Sequence, residues 1–379
     1  MKNSLILVWP MVTFSLWLAL QLVESKPVVL SNLHLPVDQN EDAILTGETS
    51  ILQIGDSYYY YVNNWGGCES VDCCPSPEGC ASCCYVPPTP RYPDTCVFTT
   101  NHSVYVYRTK DFQKFENLGI VLNISSRPKG IEFRPHVVSP SPDKFIMWFE
   151  NRPSPIQSSG YTVALASSPA GPFTTVSENV DVSGVTPGDF DILYEENTKK
   201  CWHLQTTTND PAQAKGFAVT ELDEFCMKPI FPKKSIVFQA PKPAEGPVFF
   251  KRNNVYYILA GTTCCACRGG SSIFVFAAST PLGPWKYMGD VGKNTSQPNY
   301  DMHSPFNYVT QAQASAVFQV ENPLSGQMQY VWLGNQWTSS PRRNTDLLYW
   351  SILEWESHPK DGYDLVKQFV RQNKITLQI

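Results

Sequence analysis

Two stretches of this chain are versions of one another. "ALASSPAGPF" (residues 164–173) and "FAASTPLGPW" (276–285) share the end of a strand, a Ser/Thr-Pro turn, a Gly-Pro pair and a closing aromatic. "VYVYRTKDFQKFENLGIVL" (104–122) follows the same plan: a strand, a charged turn, an aromatic and a further strand. Around these units run short apolar segments such as "SYYYYVNNW", "KFIMWFEN" and "VYYILAG", separated by clusters of Gly, Pro, Asn and Asp. That punctuation predicts an all-β chain, and no convincing amphipathic helix interrupts it. A strand-only unit recurring every roughly 50–70 residues predicts propeller blades, whose inner strands aim side chains at one central pocket. Some five units fit residues 26–379, so the expected architecture is a single five-bladed β-propeller domain. A pair of β-sandwiches is the competing arrangement.

The material suits such a fold. Of 379 residues, 42% are hydrophobic and 17% charged, enough for a large core and too little charge for disorder. A net charge of −5 argues against a nucleic-acid partner. Aromatic residues make up 13% of the chain, and they have two uses: filling strand-built cores, or stacking on a ligand with apolar faces such as a sugar.

The first 25 residues, "MKNSLILVWPMVTFSLWLALQLVES", set one Lys before an apolar run and end on Val23-Glu24-Ser25. They predict a signal peptide over 1–25 and a secreted, extracellular protein. An uncleaved membrane anchor is the rival, although Pro10 interrupts the run. No later segment is apolar enough to span a bilayer, so no membrane partner is expected. Twelve cysteines fit an oxidising compartment. Seven lie between Cys68 and Cys96, three are Cys264, Cys265 and Cys267, and two are Cys201 and Cys226. Seven and three are both odd, so full oxidation requires a bridge between the 68–96 and 264–267 loops, with Cys201–Cys226 clipping one hairpin region. A zinc cluster using Cys80 and Cys83 is the alternative, and the lack of nearby paired His disfavours it. Sequons at Asn101, Asn123 and Asn294 accord with export.

In "PKPAEGPVFFKRNNVYYILAG" (241–261) a single carboxylate, Glu245, stands between prolines at the mouth of two apolar strands. Either it is a solvated turn residue, or it sits where desolvation raises its proton affinity to some purpose. In a propeller, comparable polar residues should lead into inner strands elsewhere. They do: Glu132 and Arg134 in "KGIEFRPHVV", Asp189 in "TPGDFDILYEEN", and Gln313 in "VTQAQASAVFQV". Plainer readings stand beside each. They make Glu132 only an ion-pair partner of Arg134 or Lys129, Asp189 the closure of an Asx-turn, Trp337 core, and His203 an interior histidine. Gln313 has Gln311 two residues away on the same strand face.

Taken in order, these segments resemble glycoside hydrolase family 43, five-bladed propeller enzymes, and most nearly its exo-β-1,3-galactanase branch. "EFRPHVV" with "FIMWFE" is similar to that branch's Glu-Arg-Pro segment and following strand, with Phe133 as an extra residue. "PGDFDILYEEN", "EGPVFFKRNNVYYILAGTT", "AQASAVFQV" and "LGNQW" look like its Asp, Glu-Ala-Pro, Gln and Trp motifs. The likeness runs over about residues 40–355. It implies an O-glycosyl hydrolase acting by inversion on β-linked galactan or a similar glycan, with no cofactor beyond a possible structural Ca²⁺. Inversion sets the acid and the water-activating group roughly 6.5–9.5 Å apart. The resemblance makes Glu245 the general acid and gives Gln313, in its imidic-acid form, the task of positioning water. Glu132 would stand at the sugar's polar edge or assist the water. Asp189 would bind sugar hydroxyls or tune Glu245, Arg134 would pair with one of the acids, and Trp337 would contact the sugar. Departures are the "TGETSI" segment around Glu48 in place of His-Gly-Ala-Gly, Glu-Gly-Pro in place of Glu-Ala-Pro, and the cysteine-rich loops, expected near the channel mouth. A propeller that binds glycans without catalysis is the alternative function.

Overall fold

The computed structural model describes residues 26–65, 102–152, 160–207, 215–262, 271–294, 308–337, 344–358 and 362–379. The 1–25 segment, both cysteine-rich loops with their expected bridge, and Asn101 lie outside these residues.

Five antiparallel sheets stand around one axis. Blade 1 runs outward from Gly47–Ile54 through Ser57–Asn64 and Ser103–Thr109 to Lys114–Leu122, with Val37–Asp38 added in parallel at its edge. Blade 2 is Ile131–Ser141, Lys144–Arg152, Tyr161–Ala166 and Thr174–Val180. Blade 3 is Phe190–Glu195, Lys200–Thr206, Phe217–Leu222 and Ser235–Phe238. Blade 4 is Ala244–Arg252, Val255–Thr262, Phe274–Ala278 and Lys286–Asp290. Blade 5 has three strands, Gln313–Asn322, Gln327–Gln336 and Leu347–Ile352. The first strand of each blade touches the first strand of the next, and the fifth returns to the first, closing the ring.

The aromatic content is explained by how blades pack. Successive strand residues point to opposite faces, and both faces of a blade meet a neighbour. Tyr60 and Val62 therefore pack with Phe318 and Trp350 of blade 5, whereas Tyr61 between them packs with Val137 and Phe149 of blade 2. The same pattern places Trp148 against Ile192, Trp202 against Phe276, and Phe250 against Tyr330, so each of five apolar clusters fills one blade-to-blade interface. The repeat seen in sequence is the turn into each outer strand. Gly171 and Gly283 adopt left-handed φ of 70° and 81°, each donates its N–H to the carbonyl three residues earlier, of Ser168 and Thr280 respectively, and Phe173 and Trp285 fold back onto the blade. Phe112, wholly buried, plays that part in blade 1.

Two covalent or near-covalent ties complete the frame. Cys201 and Cys226 form a disulfide, with Cα atoms 5.4 Å apart, that holds the loop after the third strand of blade 3 to its second. The chain ends pair as Pro27–Ser31 with Lys374–Gln378, and their Val28, Leu30, Ile375 and Leu377 join the cluster between blades 5 and 1. Next to that pair, buried Asn32 receives the Trp350 N–H at 2.7 Å and donates to Trp350 O at 3.1 Å and Gln372 O at 2.9 Å. A side-chain amide thereby stands in for a missing strand neighbour of the three-stranded blade.

Replacing Asn32 with Ala would strand the Trp350 N–H and carbonyl in a buried site. At about 1–3 kcal/mol for each orphaned group, the expected loss is about 3 kcal/mol in chemical denaturation, and a loss below about 0.5 kcal/mol would contradict the closure assigned to Asn32.

Candidate active site

At mid-depth the axis is filled by Arg134. Its backbone is left-handed, with φ of 54°, at an irregularity in register between Phe133 and His136. From there the guanidinium reaches across the channel. Nε donates to Phe190 O at 3.0 Å in blade 3, and Nη2 to Pro247 O at 3.0 Å in blade 4. Longer bonds run to blade 5, from Nη1 to Ala314 O at 3.4 Å and from Nη2 to Ser315 O at 3.5 Å. Its own N–H donates to Glu48 Oε2 of blade 1 at 2.8 Å. The sequence pattern suggested that Arg134 pairs with an acid. Its guanidinium instead binds carbonyl oxygens of three other blades, for which a planar fork of five donors is suited.

Above this plug the polar residues at the start of each inner strand converge. Asp189 Oδ2 accepts the Gly246 N–H at 2.8 Å, so it reaches from blade 3 to the residue after Glu245 rather than closing a turn of its own. Gly246 has a φ of 57°, and the register between Glu245 and Val248 is broken by a bulge. A Cβ placed on Gly246 would come within 2.9 Å of Gln313 Cγ and 3.1 Å of Ala314 O. Glycine at this place in the Glu-Gly-Pro segment therefore lets blade 4 close onto Gln313 of blade 5. Glu245 itself is half-buried at the start of its strand, opposite Gly261. Glu245, Asp189 and Gln313 thus belong to adjoining segments at one mouth of the channel, with Arg134 beneath them.

Gln313 is oriented by Trp337. The indole Nε1, which can only donate, lies 2.8 Å from Gln313 Oε1, so the oxygen faces the indole and Nε2 faces away with no hydrogen bond to any described residue. Trp337 is 3% exposed and stacks on Trp65 with ring centroids 5.8 Å apart, in a cluster with Ile131 and Phe133. In this arrangement its indole is turned to Gln313 and Trp65. Gly47 makes room for this cluster, since a Cβ there would lie 3.0 Å from the Trp65 ring.

Glu132 does not join the group. Its carboxylate is fully buried between Arg127, whose Nε lies 3.3 Å from Oε1, and His102, whose Nδ1 lies 3.9 Å from Oε2. The His102 Nε2 accepts the Glu132 N–H at 3.0 Å, while Asn63 and Trp65 donate to its carbonyl. The physical reason is local. Phe133 adds a residue, and the left-handed Arg134 spends that residue turning its own side chain, not that of Glu132, into the axis. The carboxylate that does face the group is Glu48, near Asp189 and near Glu150, which Arg152 holds at 2.9 Å. Burial is the main cause that pushes Glu48 up to about 8; Arg134 opposes the shift and the two other carboxylates add to it. The sequence marked Glu48 only as a departure, and its signal was position: the second residue of an inner strand, level with the other leading polar groups.

His203, expected in the interior, is wholly buried and lies flat on Phe190 at 5.2 Å, with neither ring nitrogen hydrogen-bonded to a described residue. Among the described residues no three His, Cys, Asp or Glu side chains cluster as a metal site requires.

The sequence model described as Glycosyl hydrolases family 43 matches residues 81–322. No curated protein matches the chain. Among solved structures, a GH43 β-1,3-galactosidase with galactodeoxynojirimycin has a TM-score of 0.68 at 15% identity, covering 91% of this chain and 100% of that one. The exo-β-1,3-galactanase from Phanerochaete chrysosporium with galactose scores 0.62 at 16% identity, covering 89% and 70%. A variant of that enzyme is described with β-1,3-galactotriose. An exo-β-1,3-galactanase from Clostridium thermocellum scores 0.67 at 17%, covering 93% and 68%. Against another GH43 β-1,3-galactosidase the chain spans 64% of that protein's length. At these identities the likeness to the solved structures is one of fold.

Replacing Arg134 with Lys removes the fork and leaves carbonyls of blades 3 to 5 short of donors. The expected cost is about 3 kcal/mol in denaturant midpoint analysis, from about 1–3 kcal/mol per orphaned carbonyl; a change within about 0.5 kcal/mol would mean the plug does not hold the blades.

Four buried groups set how stability tracks pH. Burial pushes Glu48 and Glu132 up from 4.5 to about 8, pushes His102 well below 6.5, and pushes His203 down from 6.5 to about 3. Between pH 4.5 and 6.5 the folded protein holds two extra protons on the carboxyls and lacks two on the imidazoles, so the contributions cancel. From 6.5 to 8 only the carboxyls count, the folded state binds more protons, and stability falls as pH rises. Below 4.5 only the imidazoles count, and stability falls as pH falls. The melting temperature should therefore be flat from about pH 4.5 to 6.5 and drop on both sides, with Glu132→Gln weakening the alkaline drop. A melting temperature that climbs from pH 6.5 to 8 would contradict these assignments.

Proposed function

The chain belongs to glycosyl hydrolases family 43 and is a glycosidase, and from that premise we propose that it is a secreted, exo-acting, inverting enzyme of β-linked galactan. Glu245 is the general acid, Gln313 positions the attacking water, and Asp189 orders the segment that carries Glu245. The observation that carries this reading is the bond from Gly246 N–H to Asp189 Oδ2 at 2.8 Å, with the same glycine packed against Gln313. It makes three blades meet beside one half-buried carboxyl. The structural neighbours solved with galactose and with β-1,3-galactotriose support the choice of glycan.

The chemistry follows from what each group can hold. A protonated Glu245 gives its proton to the glycosidic oxygen as the bond to the anomeric carbon breaks. Water attacks that carbon from the opposite face and surrenders a proton. Trp337 occupies Gln313 Oε1, so this reading gives the water to Nε2, which is buried and has no hydrogen-bond partner among the described residues, and accepting a proton there requires the imidic-acid form. Burial pushes Glu48, which lies near Asp189, up to about 8, toward the neutral form. Glu132 takes no part in this scheme, because its carboxylate is placed between Arg127 and His102.

The test is hydrolysis of β-1,3-galactotriose followed by proton NMR. The expected first product is α-galactose, the inverted anomer. Glu245→Gln should lower kcat by about 10²–10⁴-fold, the usual worth of a general acid. Gly246→Ala should also slow the reaction, by displacing Gln313, while the fold persists. A β-anomer as first product would exclude inversion, and an undiminished Glu245→Gln rate would remove this residue from catalysis. Binding of the trisaccharide without hydrolysis by the native protein would favour a non-catalytic propeller.

A further inference from the structure

The Arg134 plug divides the axis into two compartments. Beyond it, on the side away from Glu245, lies a cavity of about 910 Å³ that the inner strands enter at Ile51, His136, Asp191, Phe249 and Ala316. That size lies within the range of small-molecule sites, roughly 300–1,000 Å³. Every residue lining it lies among the described residues.

The charges around this cavity are already matched. Lys251 Nζ lies 2.6 Å from Glu195 Oε1, which also accepts the Tyr256 hydroxyl at 2.7 Å, and Glu195 Oε2 accepts the Trp202 indole at 2.8 Å. Lys199 pairs with Glu196 at 2.8 Å. Asp191 has both oxygens engaged: Oδ1 lies 2.6 Å from His136 Nδ1 and accepts the Ile192 N–H at 3.0 Å, while Oδ2 accepts the Phe249 N–H at 2.6 Å. At 2.6 Å a nitrogen and an oxygen must share a proton, so it is Nε2 of His136 that remains to meet a ligand.

What is left over is uncharged. The side-chain amides of Asn197, Asn253, Asn254 and Gln319 line the cavity and make no hydrogen bond with any described residue. Each offers an acceptor and two donors, the set that a row of hydroxyls, themselves both donor and acceptor, matches without residue. Ile54, 37% exposed, and the half-buried Tyr194 set apolar surface between these amides. An anion or a cation would find no uncompensated partner here, whereas a neutral polyol finds both polar and apolar ones.

We propose that this cavity is a second binding site, separate from the Glu245 mouth, for a neutral oligosaccharide. It needs no catalysis, so its fate is independent of the glycosidase mechanism. It would let the protein hold one stretch of a glycan on the face opposite to that where another is processed.

Titration calorimetry of the Glu245→Gln protein with β-1,3-galactotriose tests it. Two binding events are expected. Asn197→Ala combined with Asn254→Ala, both exposed at hairpin tips, should weaken one event at least tenfold, and in the native background should leave the rate of galactotriose hydrolysis unchanged within twofold. Gln319→Ala, on a different blade, should weaken the same event. No binding, or no event that these changes weaken, would overturn the proposal, whereas a single event that they do weaken would uphold this site and count against the Glu245 mouth. Stronger binding of trigalacturonate than of galactotriose at the affected site would also overturn it, since that would make the ligand anionic.

Discussion

A buried guanidinium holds the centre of this molecule. Arg134 is 6% exposed, and moving such a charge out of water costs several kcal/mol unless its donors are taken up. The carbonyls of Phe190, Pro247, Ala314 and Ser315 take them up, and the backbone N–H of the same residue takes Glu48. One residue of blade 2 is thereby bonded to every other blade. Three of its carbonyl partners are near neighbours in sequence of groups at the channel mouth: Phe190 follows Asp189, Pro247 lies two residues past Glu245, and Ala314 follows Gln313. Fixing the axis and fixing the site are the same act.

The consequences run in both directions along the channel. Above the plug, the donors and carboxyls of four blades face one another, and a glycine permits the contact between Gly246 and Gln313. The tryptophan pair Trp65 and Trp337 braces Gln313 from behind. Below the plug, the inner strands splay into a cavity whose charges cancel pairwise and whose remaining polar groups are amides. The two ends thus present different chemistry, titratable above and charge-paired below, because the inner strands of blades 1, 3 and 4 begin beside acids while the hairpins of blades 3 and 4 end in the amides of Asn197, Asn253 and Asn254.

Much of this was legible in the sequence, for identifiable reasons. The unbroken aromatic run of "SYYYYVNNW" marks a strand, whose two faces the structure buries against different blades, and the two Gly-Pro turns read as equivalent places in two blades. Asp189, Glu245 and Gln313 were visible because each leads into an apolar strand, which is a local pattern. Glu132 shared that pattern and yet turned elsewhere, because a left-handed residue two positions later changes which side chain meets the axis. Backbone handedness at an arginine has no sequence signature. Glu48 was overlooked for the converse reason: no proline precedes it, and only the convergence of blades 1, 2 and 3 at the axis shows that it faces Arg134, Glu150 and Asp189. Arg134 was expected beside an acid because charge pairing is the usual reading of an arginine near carboxylates, whereas carbonyl bonding depends on strand ends that come together only when the ring closes.

The central claim is that the blades, tied by one arginine, set a proton donor and a water-holding amide on either side of a sugar. A crystal structure of the Glu245→Gln protein with β-1,3-galactotriose examines it most directly. The account requires a glycosidic oxygen within about 3.2 Å of the residue-245 side chain, and a water between the anomeric carbon and Gln313 Nε2. A trisaccharide lying away from residue 245, or a Gln313 turned from the anomeric carbon, would contradict it.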